Sequence, residues 1–387
     1  MGIRPRILAL FGSGILFGQE RGNIEALAAL RERGCEILCL VRNDSWNKQI
    51  PATLEARGLA WRRAAFLEQR LPGRLRWFLL RNPIAFIAGN WQFLEAVRQF
   101  RPTHIHAFNP LYVLTFLPGL LFVRTPMVYR AGDKPTLHRW FWRLVWRFVI
   151  WRTRRFVANS RFVARELTIS GVPPHRIELI YSAPPRHESF GSFRLPDGFD
   201  QSGLFYFVYI GQITADKGVD VLVEAFRRIT AEFTQARLLI AGRISDWPGD
   251  AWGRKLRDTV ISSTDLRQRV AFLDYVEDVP GLLAVCDVHV CPSVWDEPFA
   301  NVVIEAKAAG RPSIVFPSGG LREVLVHDVE GCLCPDKTVD ALAEAMCRYI
   351  KDPGTAKSHG LAAQASLVRF GVPQFARAWY SIYQAEL

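Results

Sequence analysis

No stretch of this 387-residue chain reaches the ~18 uninterrupted apolar residues of a membrane-spanning helix. Residues 111–123 come nearest and are too short, and residues 140–151 are interrupted by Arg143 and Arg147. The N-terminus carries two arginines and a short apolar run without a small-residue cleavage site, which argues against a signal peptide. Cysteine is sparse: seven, an odd number, with no CxxC pair. Cys332 and Cys334 stand two apart, and Cys35, Cys39, Cys286, Cys291 and Cys347 lie in apolar runs. The pattern reads as buried, reduced thiols of a cytosolic protein rather than a disulfide framework. There is no Asp-x-Asp pair and no His/Cys ligand set, so the sequence offers no metal site. Acid is scarce in the first half only. Residues 1–200 hold 14 Asp and Glu against 30 Lys and Arg, whereas residues 201–387 hold 23 against 19. The basic half also carries eight of the twelve tryptophans, which points that half toward an anionic surface. No RNA- or DNA-binding motif accompanies the charge, so nucleic acid is the weaker partner and a membrane surface the stronger.

What is present is a strand–helix alternation, which predicts parallel sheets with helices on both faces. Residues 6–11 read as a strand, a Gly-rich turn follows, residues 20–33 have helical spacing, and residues 36–41 form the next strand. Further strands are expected at 104–107, 127–129, 155–158 and 177–180, with Ser160 capping a helix that stops before Gly171. Residues 184–203 break the rhythm with Pro, Gly, Ser and charge and are read as a linker. The rhythm restarts with strands at 204–210, 236–241, 270–273, 288–291 and 313–316. This is an α/β chain of two Rossmann-like parallel-sheet domains facing a cleft, the first over residues 1–190 and the second over 203–365.

Three stretches of the second half carry chemistry. Gly211-Gln212-Ile213-Thr214-Ala215-Asp216-Lys217-Gly218 follows a strand and opens a helix, where backbone N–H groups and the helix dipole attract an anion and Lys217 adds a full charge. A plain solvated turn would look much the same. The second stretch runs from Pro292 to Glu305 and places Glu297 in a loop and Glu305 in the following helix. Eight residues of continuous helix would separate them by about 12 Å, so a turn through Pro298 is needed to aim both at one ligand. Singly, each would pass for a surface glutamate. The third is Gly319-Gly320 with Glu323, after a strand.

In this order the stretches resemble the nucleotide-sugar glycosyltransferases of the GT-B fold, specifically the large retaining group known as glycosyl transferases group 1. The family's Glu, seven residues, Glu pattern is met by Glu297 and Glu305, its Lys-Gly turn by Lys217 and Gly218, and its Gly-Gly-x-x-Glu by Gly319 to Glu323. Val157-Ala158-Asn159-Ser160 and Gly171-Val172-Pro173 match its first domain. The resemblance implies a nucleoside-diphosphate sugar as donor substrate, no required cofactor, and retention at the anomeric carbon by front-face attack. It implies that Lys217 binds the diphosphate together with the turn at Gly211 and Gln212, that Glu305 holds the ribose, and that Glu297 sits beside the transferred sugar. Phe299, Asn301 and Val302 would line the phosphate and sugar pocket, with Arg243 pointing into it and Tyr275 near the base. Residues 366–387 would be a helical segment returning to the first domain.

The chain departs from the family in three places: Gln212 replaces a usual Arg, Ala300 a usual Gly, and no His follows the strand at 127–129. There Arg130-Ala131-Gly132-Asp133 stands instead, and Asp133 is the candidate for the acceptor-side catalytic contact. His104 and His106, on and beside a strand, read as packing residues.

The segment from Arg139 to Trp151 alternates arginine with tryptophan. At ~100° per residue Arg139, Arg143 and Arg147 form one stripe, flanked by Trp142 and Trp146 on one side and by Trp140 and Trp151 on the other, with Leu144, Val145 and Phe148 behind. Such a face suits headgroups, and a plain domain helix is the competing reading. The resulting expectation is a cytoplasmic glycosyltransferase acting on a glycan or lipid-linked acceptor in polysaccharide or cell-envelope synthesis, peripheral to the inner face of a membrane. A nucleotide-sugar-binding scaffold without turnover, or an epimerase of the same fold, is the alternative.

Overall fold

The computed structural model describes residues 4–16, 18–43, 48–67, 75–183, 193–244 and 251–385. The chain divides into two units, the first comprising residues 1–183 with 372–387 and the second residues 184–371.

The first unit is built on seven strands: β1 (Arg6–Phe11), β2 (Glu36–Arg42), β3 (Ala60–Ala64), β4 (His104–Ala107), β5 (Met127–Ala131), β6 (Thr153–Ala158) and β7 (Ile177–Leu179). They pair in the order β3-β2-β1-β4-β5-β6-β7, every pair parallel. Residues 7–11 of β1 and all of β4 are buried, because helices cover both faces of a parallel sheet and leave no polar side for an alternating pattern. The strand order reverses between β1 and β4, and a ligand crevice belongs outside the carboxyl ends of the strands at such a reversal.

The second unit repeats the plan with β8 (Phe205–Ile210), β9 (Ala236–Ala241), β10 (Val270–Asp274), β11 (Val288–Cys291), β12 (Ser313–Val315) and β13 (Gly331–Leu333). The order β10-β9-β8-β11-β12-β13 is again parallel throughout, with its reversal between β8 and β11. Phe193, Leu195 and Phe199, in the stretch read as linker, pack into this unit's core, since three large apolar side chains find more to bury there than in water. The rest of that stretch, residues 184–192, lies outside the described residues.

Other local expectations meet the structure closely. Ser160 caps the helix Arg161–Ile169 by accepting from the Val163 N–H at 3.0 Å. All seven cysteines are unpaired, six of them buried. Burial pushes the Cys291 thiol up to about 12, so it stays protonated at neutral pH.

The helix Val372–Ala385 belongs to the first unit and packs on the helix Gly18–Glu32. Phe375, Ala376, Trp379, Ile382 and Tyr383 recur at helical spacing and are all buried in the first core. Its polar anchor is His106 on β4. The imidazole Nδ1 lies 2.6 Å from the Tyr383 hydroxyl, and Nε2 lies 2.7 Å from Asn23 Oδ1. The Asn23 amide nitrogen already donates to the Gln19 carbonyl, so Asn23 Oδ1 accepts and Nε2 carries the proton. The ring is therefore held neutral: burial, helped by the Arg130 charge, lowers its pKa to about 3.

This His gives a pH dependence. Its folded pKa lies below the ordinary 6.5, so between those values the unfolded chain binds a proton that the folded chain does not. Stability is thus lost as pH falls from about 6.5 toward 3, by up to about 1.4 kcal/mol per pH unit from this one group. Urea unfolding of the first unit between pH 7 and 4 should show this slope, and His106→Gln should flatten it by that amount. Equal slopes in the two proteins would show that His106 is not held neutral.

Candidate functional site

The second unit's site is assembled where β8 and β11 lie side by side. The chain leaves β8 into residues 211–218, and Gly218 ends that loop in the left-handed region at φ +67°. A Cβ there would lie 2.1 Å from the Pro292 carbonyl oxygen, so only glycine allows the loop to rest on the segment after β11. The contact is reinforced by the Asp216 carbonyl, which accepts from the Val294 N–H at 3.1 Å and the Trp295 N–H at 3.0 Å.

This packing brings together two residues 80 apart in sequence. Lys217 Nζ lies 2.5 Å from Glu297 Oε1, and Ser293 Oγ donates to the same oxygen at 2.7 Å. Glu297 is 9% exposed, so its charge is balanced from within the protein rather than by water. The paired glycines close over the same residue. Gly320 N–H donates to the Glu297 carbonyl at 2.7 Å, and a Cβ on Gly319 would stand 2.4 Å from that carbonyl. Ser318 Oγ donates to the Ser293 carbonyl. The three sequence motifs are thus one construction around a lysine–carboxylate pair.

The helix Asn301–Ala308 starts beside this pair. Ala300 caps it without a side-chain acceptor, which leaves its first-turn N–H ends oriented for an anion. Asn301 and Val302 occupy that turn, half-buried, and Glu305 stands one turn on, also half-buried. Phe299 is buried with its ring 6.2 Å from Phe370. Arg243 and Tyr275, which follow β9 and β10, meet as an exposed cation–π pair with the guanidinium 4.6 Å from the ring centroid. Gln212 is exposed, and its carbonyl accepts from the Tyr209 hydroxyl at 2.6 Å. Gly211 is held by its N–H to the Ala241 carbonyl at 2.9 Å.

Sequence reasoning missed the device that fixes the helix Asn301–Ala308 at its other end. Lys307 is 1% exposed and donates to Glu330 at 2.6 Å and to Ser366 Oγ at 3.0 Å. Arg369 grips both oxygens of Glu330 at 2.7 and 2.9 Å. Burial lowers the Lys307 pKa while the Glu330 carboxylate pulls it back up. No spacing rule links positions 307, 330 and 369; a lysine between two alanines in the helix Asn301–Ala308 was the available hint.

In the first unit, a pocket of about 330 Å³ opens beyond the ends of β4 and β5 and is lined by Gln19, Asn109, Tyr129, Asp133, Trp142 and Trp146, among others. Asp133 lines it, exposed, with Oδ1 accepting the Lys134 N–H at 2.6 Å. Arg130, expected after the strand, lies on β5 with its guanidinium buried, donating to Ser182 Oγ at 3.0 Å. Burial lowers its pKa to about 10, and the Glu20 charge opposes that shift. Trp142 and Trp146 correct the outward placement read from sequence. Trp146 is buried and donates from Nε1 to the Ser170 carbonyl at 3.1 Å, while Leu144, expected at the back, is exposed. Among the described residues no group of three His, Cys, Asp or Glu side chains is placed to hold a metal ion.

Comparison with known proteins agrees with both halves of this picture. The family Glycosyl transferases group 1 matches residues 205–352, and Glycosyltransferase Family 4 matches residues 18–183. An uncharacterized glycosyltransferase of Methanocaldococcus jannaschii is 35% identical over 149 residues, 38% of this chain and 36% of the relative. A glycogen synthase of Mycobacterium tuberculosis is 34% identical over 162 residues, 41% of this chain and 37% of the relative. The matches therefore span little more than a third of these relatives' length. Among solved structures, the Anabaena protein HepE in complex with UDP-glucose superposes with TM-score 0.77 at 20% identity, over 98% of this chain and 99% of that one. Sucrose-phosphate synthase of Thermosynechococcus elongatus gives 0.78 at 19% identity, over 99% of each chain. At such identities the likeness speaks for the fold.

The approach of Gly218 to Pro292 can be tested directly. Gly218→Ala combines a left-handed alanine, costing about 1–2 kcal/mol, with a clash against backbone, and should lower stability by about 2 kcal/mol or more. Gly203→Ala is the control, because Gly203 has φ +82° with open space around its missing Cβ. Urea unfolding should show the first substitution clearly costlier; equal losses would mean the loops do not meet as described.

Proposed function

Since the chain belongs to the group 1 glycosyltransferases of GT-B architecture, we propose that it transfers a sugar from a nucleoside-diphosphate donor to a glycan or lipid-linked acceptor, with retention at the anomeric carbon. The observation that carries this reading is the Lys217–Glu297–Ser293 cluster beside an uncapped helix N-terminus. Lys217 neutralises the donor diphosphate, and the first-turn N–H groups at Asn301 and Val302 take its remaining oxygens. Arg243 supplies a second cation, and Tyr275 beside it offers a ring to the base. Glu305 accepts the ribose hydroxyls.

Chemistry follows from what these groups stabilise. The bond between the anomeric carbon and the diphosphate oxygen breaks, and charge accumulates on the leaving phosphate, where Lys217 and the helix end are preorganised to meet it. The acceptor hydroxyl attacks the same face and passes its proton to the departing phosphate oxygen. Glu297 suits this route better than a double displacement, because its Oε1 accepts from Ser293 even when Lys217 is engaged by the donor, and a hydrogen-bonded carboxylate is a weak nucleophile. It serves instead to position the sugar. Asp133, on the first unit's pocket, is the proposed acceptor-side contact. Cationic side chains and a helix end do the work that a divalent ion would otherwise do, so the reaction is proposed to run without one.

A panel of nucleoside-diphosphate sugars screened by thermal shift tests the reading, because a bound donor raises stability by RT ln(1 + [L]/Kd). Release of nucleoside diphosphate on adding acceptor then separates a transferase from a binding scaffold. No stabilisation by any donor would remove the assignment. Lys217→Ala should lose about 1.5–3 kcal/mol of nucleoside-diphosphate affinity while binding the bare nucleoside normally. Glu305→Ala should weaken both, and unchanged nucleoside affinity would take Glu305 out of the site. Excess EDTA should leave turnover intact; loss restored by Mg²⁺ or Mn²⁺ would refute the cationic clamp.

A further inference from the structure

The first unit carries large apolar side chains on its outside in three adjoining helices, Leu75–Phe100, Leu117–Phe122 and Trp140–Arg152. On the first, Ile84, Ile87, Trp91 and Leu94 stand at i, i+3, i+7 and i+10 and are all exposed, forming one outward stripe. On the second, Leu121 and Phe122 project, Phe122 being 82% exposed. On the third, Trp140, Leu144 and Trp151 share one face, with both tryptophans about two-thirds exposed or more. The helices touch. Asn90 donates to the Thr115 carbonyl at 2.8 Å and accepts from Gly119 N–H at 2.9 Å. Arg152 donates to the carbonyls of Leu120, Val123 and Thr125 at 3.0, 2.9 and 2.6 Å.

Folded monomers rarely leave so many large apolar groups together in water, so this face has an occupant. Its charge says which kind. Residues 82–155 hold eleven Lys and Arg against two acids, Glu95 and Asp133. Arg124, Arg139, Arg143 and Arg147 are exposed beside the apolar side chains. Tryptophan with arginine over aliphatic side chains is the chemistry of a headgroup interface. Among the described residues no helix is long and apolar enough to cross a membrane, so attachment here is to a surface.

We propose that the first unit docks on an anionic lipid bilayer through this three-helix face, with Trp140, Trp151 and Phe122 inserted among the headgroups and the arginines on lipid phosphates. The helix Trp140–Arg152 turns its opposite side, Trp142 and Trp146, to the pocket that holds Asp133. A lipid-linked acceptor could therefore keep its lipid in the bilayer while its sugar enters that pocket. This last step rests on the acceptor reading given above; the docking itself does not.

Flotation of the full chain with vesicles tests the docking without donor or acceptor, so it can fail while donor binding stands, and the reverse. Phosphatidylglycerol-containing vesicles should carry the protein at 50 mM salt, at least about ten-fold better than phosphatidylcholine alone, and release it as salt rises. Exchanging Arg139, Arg143 and Arg147 for Gln should weaken binding by about five-fold each, roughly a hundred-fold together. The variant Phe122→Ser/Trp140→Ser/Trp151→Ser should lose binding with an unchanged melting temperature, as all three side chains are exposed. Should either variant unfold, quenching of wild-type tryptophan fluorescence by brominated lipid decides in its place. A wild type that ignores anionic vesicles at 50 mM salt, or binds unaffected by the serine changes, overturns the proposal. So does a solution dimer that Ile87→Glu/Trp91→Glu converts to monomer without vesicle binding in the wild type, which would make the face a contact between copies.

Discussion

The second unit's chemistry depends on one close approach, the seating of the loop after β8 on the carbonyl of Pro292. Only there do Lys217 and Glu297 come within a hydrogen bond of each other, and only a residue without a side chain fits at position 218. The serine at 293 and the glycines at 319 and 320 then act on a carboxylate already in place. A buried carboxylate this well held is costly to leave unpaired, so the loops and the ion pair stabilise one another. In the proposed donor complex, where Lys217 turns toward the diphosphate, Ser293 is the partner that Glu297 keeps.

The helix Asn301–Ala308 shows how such a site is kept rigid from behind. Its first turn has no side-chain cap, and its last turn is tied through Lys307 to Glu330 and onward to Arg369. Two cations on one buried carboxylate leave a net positive charge next to the helix's negative end, the sign the helix dipole favours. Removing Glu330 would leave Lys307 buried without its counter-charge, so the triad acts as a constraint on where the helix can sit.

Much of this was legible in the sequence, for physical reasons. Parallel strands buried on both faces are largely apolar runs: β1 from Ile7 and all of β8 are uninterrupted, while β4, β9 and β11 are broken only by His104 and His106, Arg237 and His289. The motifs at 211–218, 292–305 and 319–323 are local, so their order along the chain is preserved in the fold. β3 escaped notice because it is an edge strand reading Ala-Trp-Arg-Arg-Ala, whose exposed arginines guard the edge and erase the apolar signal. The Lys307–Glu330–Arg369 triad escaped because a contact across 23 and 39 residues leaves no period to read. The helix Trp140–Arg152 was seen but turned wrongly: with aromatic residues on every side, helical spacing alone cannot say which face is the inner one. Packing decides it, and Val145, Trp146 and Val149 go inward.

That turn of the helix changes what its composition means. Four tryptophans on thirteen residues look redundant if all serve one surface. Divided by the helix, they serve two. Trp142 and Trp146 wall a pocket whose other lining mixes Phe108 and Leu111 with the polar Gln19, Asn109 and Asp133, an arrangement suited to the flat apolar face and hydroxyl-rich edge of a sugar. Trp140 and Trp151 stand with Leu144 on the side away from the core, beside Arg143 and Arg147. A helix carrying ligand wall and outer contact on opposite faces couples them through its own position, because a shift of the outer face moves the inner one. The buried Trp146 Nε1, bonded to the Ser170 carbonyl, limits that shift and fixes the pocket wall whether or not the outer face is covered.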